Sequence, residues 1–132
     1  MSQENVEVVR RGFVAWEAGD LVANLRLVHE DVVCCRMAPL IDPQTYQGID
    51  GYLQFASEWI EPYEDFHLQP TEYIDAGDDV VVEVAQEGRL AGSKQTMKGT
   101  FWFLMKVHDG KLVRFEIYGD RKQALEAAGL SE

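Results

Sequence analysis

Five polar side chains are the groups in this sequence whose types and positions point to chemistry on a small molecule. Proton transfer needs a group of suitable pKa within reach of the substrate. An arginine cannot supply a base at neutral pH, because its guanidinium stays protonated. Any catalysis would therefore use unusual groups, and the catalytic candidates are Tyr46, Arg36, Gln86, Asp120 and the thiol of Cys34.

The cysteines and histidines favour neither a disulfide nor a metal centre. Cys34 and Cys35 are adjacent on a predicted strand, where neighbouring side chains point to opposite faces and cannot bond each other. His29, His67 and His108 share no ligand spacing with these thiols. The sequence therefore predicts no metal and no cofactor.

Composition limits the class of protein and its partners. A chain of 132 residues predicts one domain, 1–132. Its net charge of −11 repels phosphate backbones and anionic lipid, so we expect neither nucleic acid nor membrane partners. No apolar run approaches the roughly 18 residues that a membrane span needs. The N-terminus lacks a signal-peptide pattern, and we predict a cytoplasmic protein.

Hydrophobic periodicity predicts an α+β fold. Apolar residues at helical spacing run from Asn5 to His29, and Gly19 and Asp20 divide them into a helix and a second, short helix. Asp120 begins the last helix as its N-cap. We expect helices on one face of a mainly antiparallel sheet. The other predicted elements are a strand (30–37), a loop (38–51), a helix (48–63), four strands (66–75, 80–92, 96–107 and 111–119) and a helix (120–130).

The hairpin "FWFLMKVHDGKLVRFEIY" indicates what lines the interior. A three-residue loop from His108 to Gly110 would pair Phe103 with Phe115 and Phe101 with Ile117, all on one apolar face. Gln86 and Arg36 are then the polar groups predicted near this interior. The opposite face mixes apolar and charged side chains, which is typical of a subunit interface. We expect a homodimer through Trp102, Leu104, Leu112, Arg114 and Tyr118.

The order and spacing of several segments resemble the NTF2-like superfamily, in its SnoaL-like branch. The resemblance implies a cystatin-like fold: a curved, mixed, mainly antiparallel sheet that forms a cone around the N-terminal helices. It also implies a pocket inside the cone and a dimer through the convex face. The segments that carry it are "VRRGFVAWEAGDL", "HEDVV", "YQGIDGYLQF", "YIDAGDDVVV", "VHDGKLVRFEIY" and "DRKQALEAAGL".

The catalytic groups of related enzymes are not matched here. Where the resemblance places the oxyanion-donating tyrosine and the general-base aspartate of ketosteroid isomerase, this chain has Gly12 and Arg36. The second oxyanion acid falls at Phe103, and the histidine and aspartate of the polyketide cyclases fall at Phe115 and Ile117. Limonene epoxide hydrolase uses an Asp-Arg-Asp set, for which Arg36 or Arg89 supplies an arginine without an inward carboxylate pair.

Three functions therefore remain open. The first is a pocket that binds a small apolar ligand without acid–base machinery. The second is an enzyme, resembling an isomerase, cyclase or epoxide hydrolase, on an apolar polycyclic or terpenoid substrate. The third is a structural dimer without a ligand. The ligand-binding residues predicted for the first function are Phe13, Trp16, Cys34, Arg36, Trp59, Val84, Gln86, Phe103, Phe115 and Ile117.

Overall fold

The computed structural model describes residues 2–36 and 45–130. Residues 37–44, which hold the end of the first predicted strand and half of the predicted loop, lie outside the described residues. The order of elements agrees with the predicted α+β fold, with one strand added. The elements are α1 (Ser2–Glu17), α2 (Leu21–Leu25), β1 (Val28–Arg36), β2 (Thr45–Gln47), α3 (Gly48–Ile60), β3 (Tyr63–Ala76), β4 (Asp79–Leu90), β5 (Thr96–His108), β6 (Lys111–Tyr118) and α4 (Arg121–Ala127).

The break between the first two helices has the predicted cause. Gly19 has a φ of 71°, a left-handed conformation that a glycine adopts without strain and that ends α1. The side chain of Asp20 accepts a hydrogen bond from the backbone N–H of Ala23 at 3.1 Å and so caps α2. Among the described helices, none is long and apolar enough to cross a membrane.

The sheet has six strands in the order β2-β1-β6-β5-β4-β3. The first strand pairs with the last in parallel, and the other neighbouring pairs are antiparallel. Because α1 contacts β3, β4 and β5 while α3 contacts β1 and β2, the curved, unclosed sheet wraps around both helices. The short edge strand β2 was not predicted, since three residues are too few for an alternating pattern to indicate a strand.

The β5–β6 hairpin turns in two residues, and the predicted three-residue loop is wrong. Asp109 and Gly110 have φ values of 50° and 76°, and His108 pairs directly with Lys111. Two consecutive residues with positive φ form the tight turn whose twist matches that of flanking strands. Asp109 tolerates this region because its short polar side chain bonds locally.

A β-bulge in β6, close to the turn, shifts the register between β5 and β6 by one residue. Val107 pairs with Leu112 and Lys106 pairs with Arg114, so Val113 is the extra residue. Beyond it Phe103 pairs with Ile117, whereas Phe115 was predicted opposite Phe103. Phe101, Phe103, Phe115 and Ile117 still lie on the inner face as predicted, because one additional residue restores the alternation. Val113, also predicted there, is the bulged residue and lies outside this core.

Apolar side chains fill the space between the inner face of the sheet and helices α1 and α3. Val80, Val82 and Val84 of β4 are fully buried there, and each stabilises the fold by about 1.5–3 kcal/mol relative to an exposed side chain. Leu112 is 5% exposed and belongs to this core. Its predicted place on the outer dimer face is therefore wrong, because the two-residue turn pairs it with the inward Val107.

The outer face of the sheet has a smaller core of its own. Val81, Leu104 and Tyr118 pack there against Ala124 and Leu125 of α4. The last helix therefore covers the face opposite α1 and α3, and the prediction of all helices on one face is wrong. Leu104 and Tyr118 are buried within the chain itself, whereas dimerisation through the rest of this face stays a prediction.

Candidate functional site

A cavity of about 80 Å³ lies between the helices and the inner face of the sheet. Aromatic and aliphatic side chains make up most of its wall. Such linings are typical of small-molecule sites, although ordinary sites are larger, at roughly 300–1,000 Å³. The described residues that line the cavity are Val8, Val9, Gly12, Phe13, Trp16, Asn24, Leu27, Val28, Tyr52, Phe55, Ala56, Trp59, Ile60, Leu68, Phe103, Met105, Val107, Leu112, Phe115 and Ile117.

A row of phenyl rings forms one wall of the cavity. Phe13 of α1 stacks on Phe103 of β5, with ring centroids 6.1 Å apart. Phe103 meets Phe115 of β6 at 5.1 Å, and Phe115 meets Phe55 of α3 at 5.3 Å. Each of these contacts adds about 0.5–1.5 kcal/mol to the burial of the rings. The row therefore ties two helices to two strands and gives the cavity a rigid aromatic surface.

Two polar side chains, Asn24 and Tyr52, lie together in this wall. The Tyr52 hydroxyl donates a hydrogen bond to Asn24 Oδ1 at 2.7 Å, and Asn24 Nδ2 donates to the carbonyl oxygen of Gly12 at 3.0 Å. Burial raises the pKa of Tyr52 to about 12, although the hydrogen bond with Asn24 opposes the shift. Tyr52 is therefore an uncharged phenol at neutral pH.

Sequence reasoning missed both members of this pair. Tyr52 precedes Phe55 and Trp59 by three and seven residues on α3, which is the spacing of one helical face. That spacing was a usable signal for Tyr52. Asn24 had no such signal, since its burial depends on α2 docking beside Gly12 through contacts distant in sequence.

The cavity brings together six of the ten predicted ligand-binding residues. Phe13 and Trp16 of α1, and Trp59 of α3, contribute rings from the helical side, and the sheet contributes the rest. Their role in binding a ligand stays a prediction. The three from the sheet are Phe103, Phe115 and Ile117.

Cys34 and Val84 do not line the cavity, contrary to prediction. Both are fully buried in the core. Burial raises the pKa of the Cys34 thiol to about 12, with the neighbouring Cys35 adding to the shift. A nucleophilic cysteine must be a thiolate, so the structure argues against Cys34 as a catalytic group.

Arg36 and Gln86 lie beside Trp59, a residue of the cavity wall. The guanidinium of Arg36 lies over the rings of Trp59 and Phe55, at 5.3 and 5.8 Å from their centroids. Gln86 Oε1 accepts a hydrogen bond from Trp59 Nε1 at 2.9 Å. Neither residue lines the cavity, so their predicted direct contact with it is not observed. Both instead contact a ring that does line it.

Tyr46, another of the catalytic candidates, is hydrogen-bonded to a carboxylate. Its hydroxyl donates a hydrogen bond to Glu58 Oε1, and Gln54 Nε2 donates to Glu58 Oε2 at 2.8 Å. These two hydrogen bonds, with the nearby charge of Arg36, lower the pKa of Glu58. Glu58 is therefore held as a carboxylate that accepts hydrogen bonds, and neither Tyr46 nor Glu58 lines the cavity.

Asp120 has the structural position that its sequence context predicted. Its side chain accepts a hydrogen bond from the backbone N–H of Gln123 at 3.1 Å and caps α4. It lies outside the cavity lining, so the structure gives it no contact with the candidate site. Within residues 2–36 and 45–130, no group of three or more His, Cys, Asp or Glu side chains has the geometry to hold a metal ion.

Comparison with known proteins identifies the type of domain. A family model described as a SnoaL-like domain matches residues 9–115. Among curated proteins, none matches this sequence.

Solved structures similar to this chain share its fold at low sequence identity. An NTF2-like protein of unknown function from Burkholderia pseudomallei is 22% identical, with a TM-score of 0.75 over 96% of each chain. TerC, co-crystallised with polyporic acid, is 24% identical, with a TM-score of 0.75 over 96% of this chain and 98% of its own. A protein with a ketosteroid isomerase-like fold from Catenulispora acidiphila, in complex with trimethylamine, is 20% identical, with a TM-score of 0.71 over 94% and 93%.

Proposed function

Because the chain belongs to the SnoaL-like domain family, we propose that it is a small-molecule pocket protein that binds a mostly apolar, ring-containing ligand without acid–base chemistry. The observation that carries the proposal is the cavity lined by the rings of Phe13, Phe55, Trp59, Phe103 and Phe115. An apolar ligand gains about 25 cal/mol for each Å² of its apolar surface removed from water by such a wall.

The pair of Asn24 and Tyr52 supplies a polar anchor for this ligand. An asparagine amide has two N–H donors, and only one of those of Asn24 bonds to a described residue, Gly12. The hydroxyl of Tyr52 donates a hydrogen bond to Asn24, and its oxygen keeps a lone pair that can accept one. The pair therefore offers one donor and one acceptor, which suits a neutral carbonyl or hydroxyl group. TerC, crystallised with polyporic acid, supports small-molecule binding in this fold.

The enzyme alternative has less support. The described residues that line the cavity include no aspartate, glutamate or histidine, the groups that most often transfer protons in such sites. The two polar groups in the wall, Asn24 and the high-pKa phenol of Tyr52, are donors and acceptors of hydrogen bonds rather than bases. An isomerase or cyclase on a polycyclic or terpenoid substrate would need its base from elsewhere.

Titration calorimetry with a matched pair of variants tests the proposal. The probes are a monoterpenoid ketone, a steroid ketone, a fatty acid and 2-naphthol. We expect at least one probe to bind the wild type, and Ala56→Leu, which fills the cavity from α3, to weaken that probe about tenfold or more. Ala127→Leu, at an exposed position of α4, is the control and should bind like the wild type. No heat with any probe, or equal binding by Ala56→Leu, would overturn the proposal.

A further inference from the structure

The guanidinium of Arg36 is a partly buried cation whose hydrogen-bonding edge is not used within the described residues. Its Nε and Nη2 atoms are both shielded from solvent and donate to no described acceptor. These two nitrogens carry the parallel N–H bonds of one side of the guanidinium, the geometry that receives both oxygens of a carboxylate. Shielded N–H donors without an acceptor are costly, so an acceptor at this edge would be stabilising.

The carboxylates of the chain do not satisfy this edge among the residues described. Although the net charge is −11, the observed ion pairs of the described residues leave Arg36 out. Glu58, whose pKa Arg36 helps to lower, gives its two oxygens to Tyr46 and Gln54 instead. The guanidinium also lies over the rings of Phe55 and Trp59, and its Nε and Nη2 edge is the part whose unused donors a ligand would meet.

Trp59 connects the cavity wall with Arg36. Its ring lines the cavity and also contacts Arg36. The side chain is only partly buried, and it is held by one hydrogen bond to Gln86 and an edge-to-face contact with Phe101 at 5.0 Å. A movement of this ring would extend the cavity towards Arg36.

The two polar positions are spaced along one helix. Tyr52 and Trp59 lie seven residues, or two turns, apart on α3, which corresponds to about 10 Å. A ligand with a hydroxyl or carbonyl against Asn24 and Tyr52 would therefore place its other end near Trp59 and Arg36. We propose that Arg36 binds the carboxylate of the ligand, so that the ligand is an aromatic or apolar carboxylic acid with a neutral polar group about 10 Å from its carboxylate.

This inference rests on the proposed function, and a matched pair of ligands separates the two. The probes are 4-hydroxycinnamate and its carboxamide, 4-hydroxycinnamamide, which have the same ring and the same hydroxyl but differ in charge. We expect the wild type to bind the carboxylate at least about tenfold more tightly than the carboxamide, because bidentate charge-assisted hydrogen bonds are about twice as strong as neutral ones.

Variants at Arg36 locate the source of this preference. Arg36→Gln should bind both probes alike, and Arg36→Lys should keep only part of the preference, because it retains the charge without the fork. Arg26→Gln, which removes an exposed arginine, is the control and should keep the wild-type ratio. Trp59→Phe, which lacks the indole N–H that bonds Gln86, should bind the carboxylate faster in stopped-flow mixing.

Each outcome decides between the two proposals. Equal binding of acid and amide by the wild type overturns the carboxylate subsite and leaves the apolar pocket standing. A preference for the acid that survives in Arg36→Gln also overturns the subsite, because another group would then be the source. If neither cinnamyl probe binds while the probes of the first experiment do, this ligand class is wrong. If no probe of either experiment binds, both proposals fail.

Discussion

The two faces of β5 and β6 bury their apolar side chains with very different polar partners. On the inner face Phe103 and Phe115 lie in a cavity wall whose polar groups are the uncharged pair Asn24 and Tyr52. On the outer face Leu104 packs under α4 beside a buried charge, Glu116, which is 7% exposed. The same two strands therefore separate a neutral interior from a charged one.

The outer face keeps its charge buried because the charge is fully paired. Glu116 accepts hydrogen bonds from Arg114 Nε and from the Tyr118 hydroxyl, the latter at 2.8 Å. Burial and the bond to Glu116 raise the pKa of Tyr118, and the same ion pair raises the pKa of Arg114. Groups with shifted pKa values often mark active sites, but ion-pair networks shift them as well. The charged, hydrogen-bonded groups therefore lie on the face opposite the cavity.

The largest expected effect on the comparison of the two faces is the loss of stability when a ring is removed from the cavity wall. Phe103→Ala should lower the free energy of unfolding by about 3–5 kcal/mol, because Phe103 is 2% exposed and contacts two other rings. Urea unfolding measures the loss. Leu104→Ala, next in sequence on the outer face, is the matched control at about 2–5 kcal/mol.

Benzene then distinguishes the two truncations. It should raise the melting temperature of Phe103→Ala, whose new space joins the existing cavity, and should leave Leu104→Ala unchanged. Equal rescue of both variants, or a loss below about 1 kcal/mol for Phe103→Ala, would contradict the distinction between the faces.

The second effect is the contribution of Tyr52 to the free energy of unfolding, which is lost at alkaline pH. Because the folded chain raises the pKa of Tyr52 from 10.0 to about 12, the protonated phenol stabilises the fold fully below pH 10. That contribution declines as the pH rises to 12, by up to about 3 kcal/mol in total. Urea unfolding at pH 8 and pH 11 should show a smaller decline for Tyr52→Phe than for the wild type.

Tyr63→Phe is the control for this measurement. Tyr63 packs against Gly88 outside the cavity, so its removal tests for a general effect of losing one tyrosine. We expect Tyr63→Phe to keep the alkaline decline of the wild type. An unchanged decline in Tyr52→Phe would mean that the buried phenol does not couple folding to pH.

The third effect compares a phenol on each face at pH 7. Tyr118→Phe removes a hydrogen bond to a buried carboxylate and should cost about 1.5–3 kcal/mol, whereas Tyr52→Phe removes one to a neutral amide and should cost about 1 kcal/mol. Chemical unfolding of the two variants checks the order. A reversed order would show that the charge on Glu116 is better solvated than its burial indicates.

The smallest effect comes from the two helix caps. Asp120→Ala and Asp20→Ala should each cost about 1 kcal/mol, because each removes one side-chain acceptor from a helix N-terminus. Only Asp20→Ala should also weaken ligand binding in the cavity, since α2 carries Asn24. Unfolding and titration of both variants test this, and weaker binding by Asp120→Ala would contradict the separation of the two faces.

The fold was predictable wherever the chain carries a local pattern. The break at Gly19, the cap at Asp120 and the inward set on β4 follow from residue type and alternation. The faces of Phe103 and Phe115 were also predicted correctly, although their pairing was not. The bulge at Val113 adds one residue to β6, and an added residue compensates for a loop that is one residue shorter than predicted.

The candidate site was predictable only in its apolar part. Aromatic residues at strand and helix spacing predicted rings such as Trp59 in the cavity wall. Asn24 and Tyr52 meet through a hydrogen bond between helices distant in sequence, which no periodicity reports. Arg36 was placed on the correct face, but its position over two rings, beside the cavity rather than in it, depends on α3 docking against β1.

The parallel pairing of β1 with β6 has a consequence for synthesis on the ribosome. Cys34 and Arg36 find their strand partners Phe115 and Ile117 only after β2 to β5 have been made. Until then the edge of β1 that pairs with β6 is unpaired, and the antiparallel strands β3 to β5 can form first. A nascent chain stalled before residue 111 should therefore remain protease-sensitive at β1, and folding should be completed once β6 has left the ribosome.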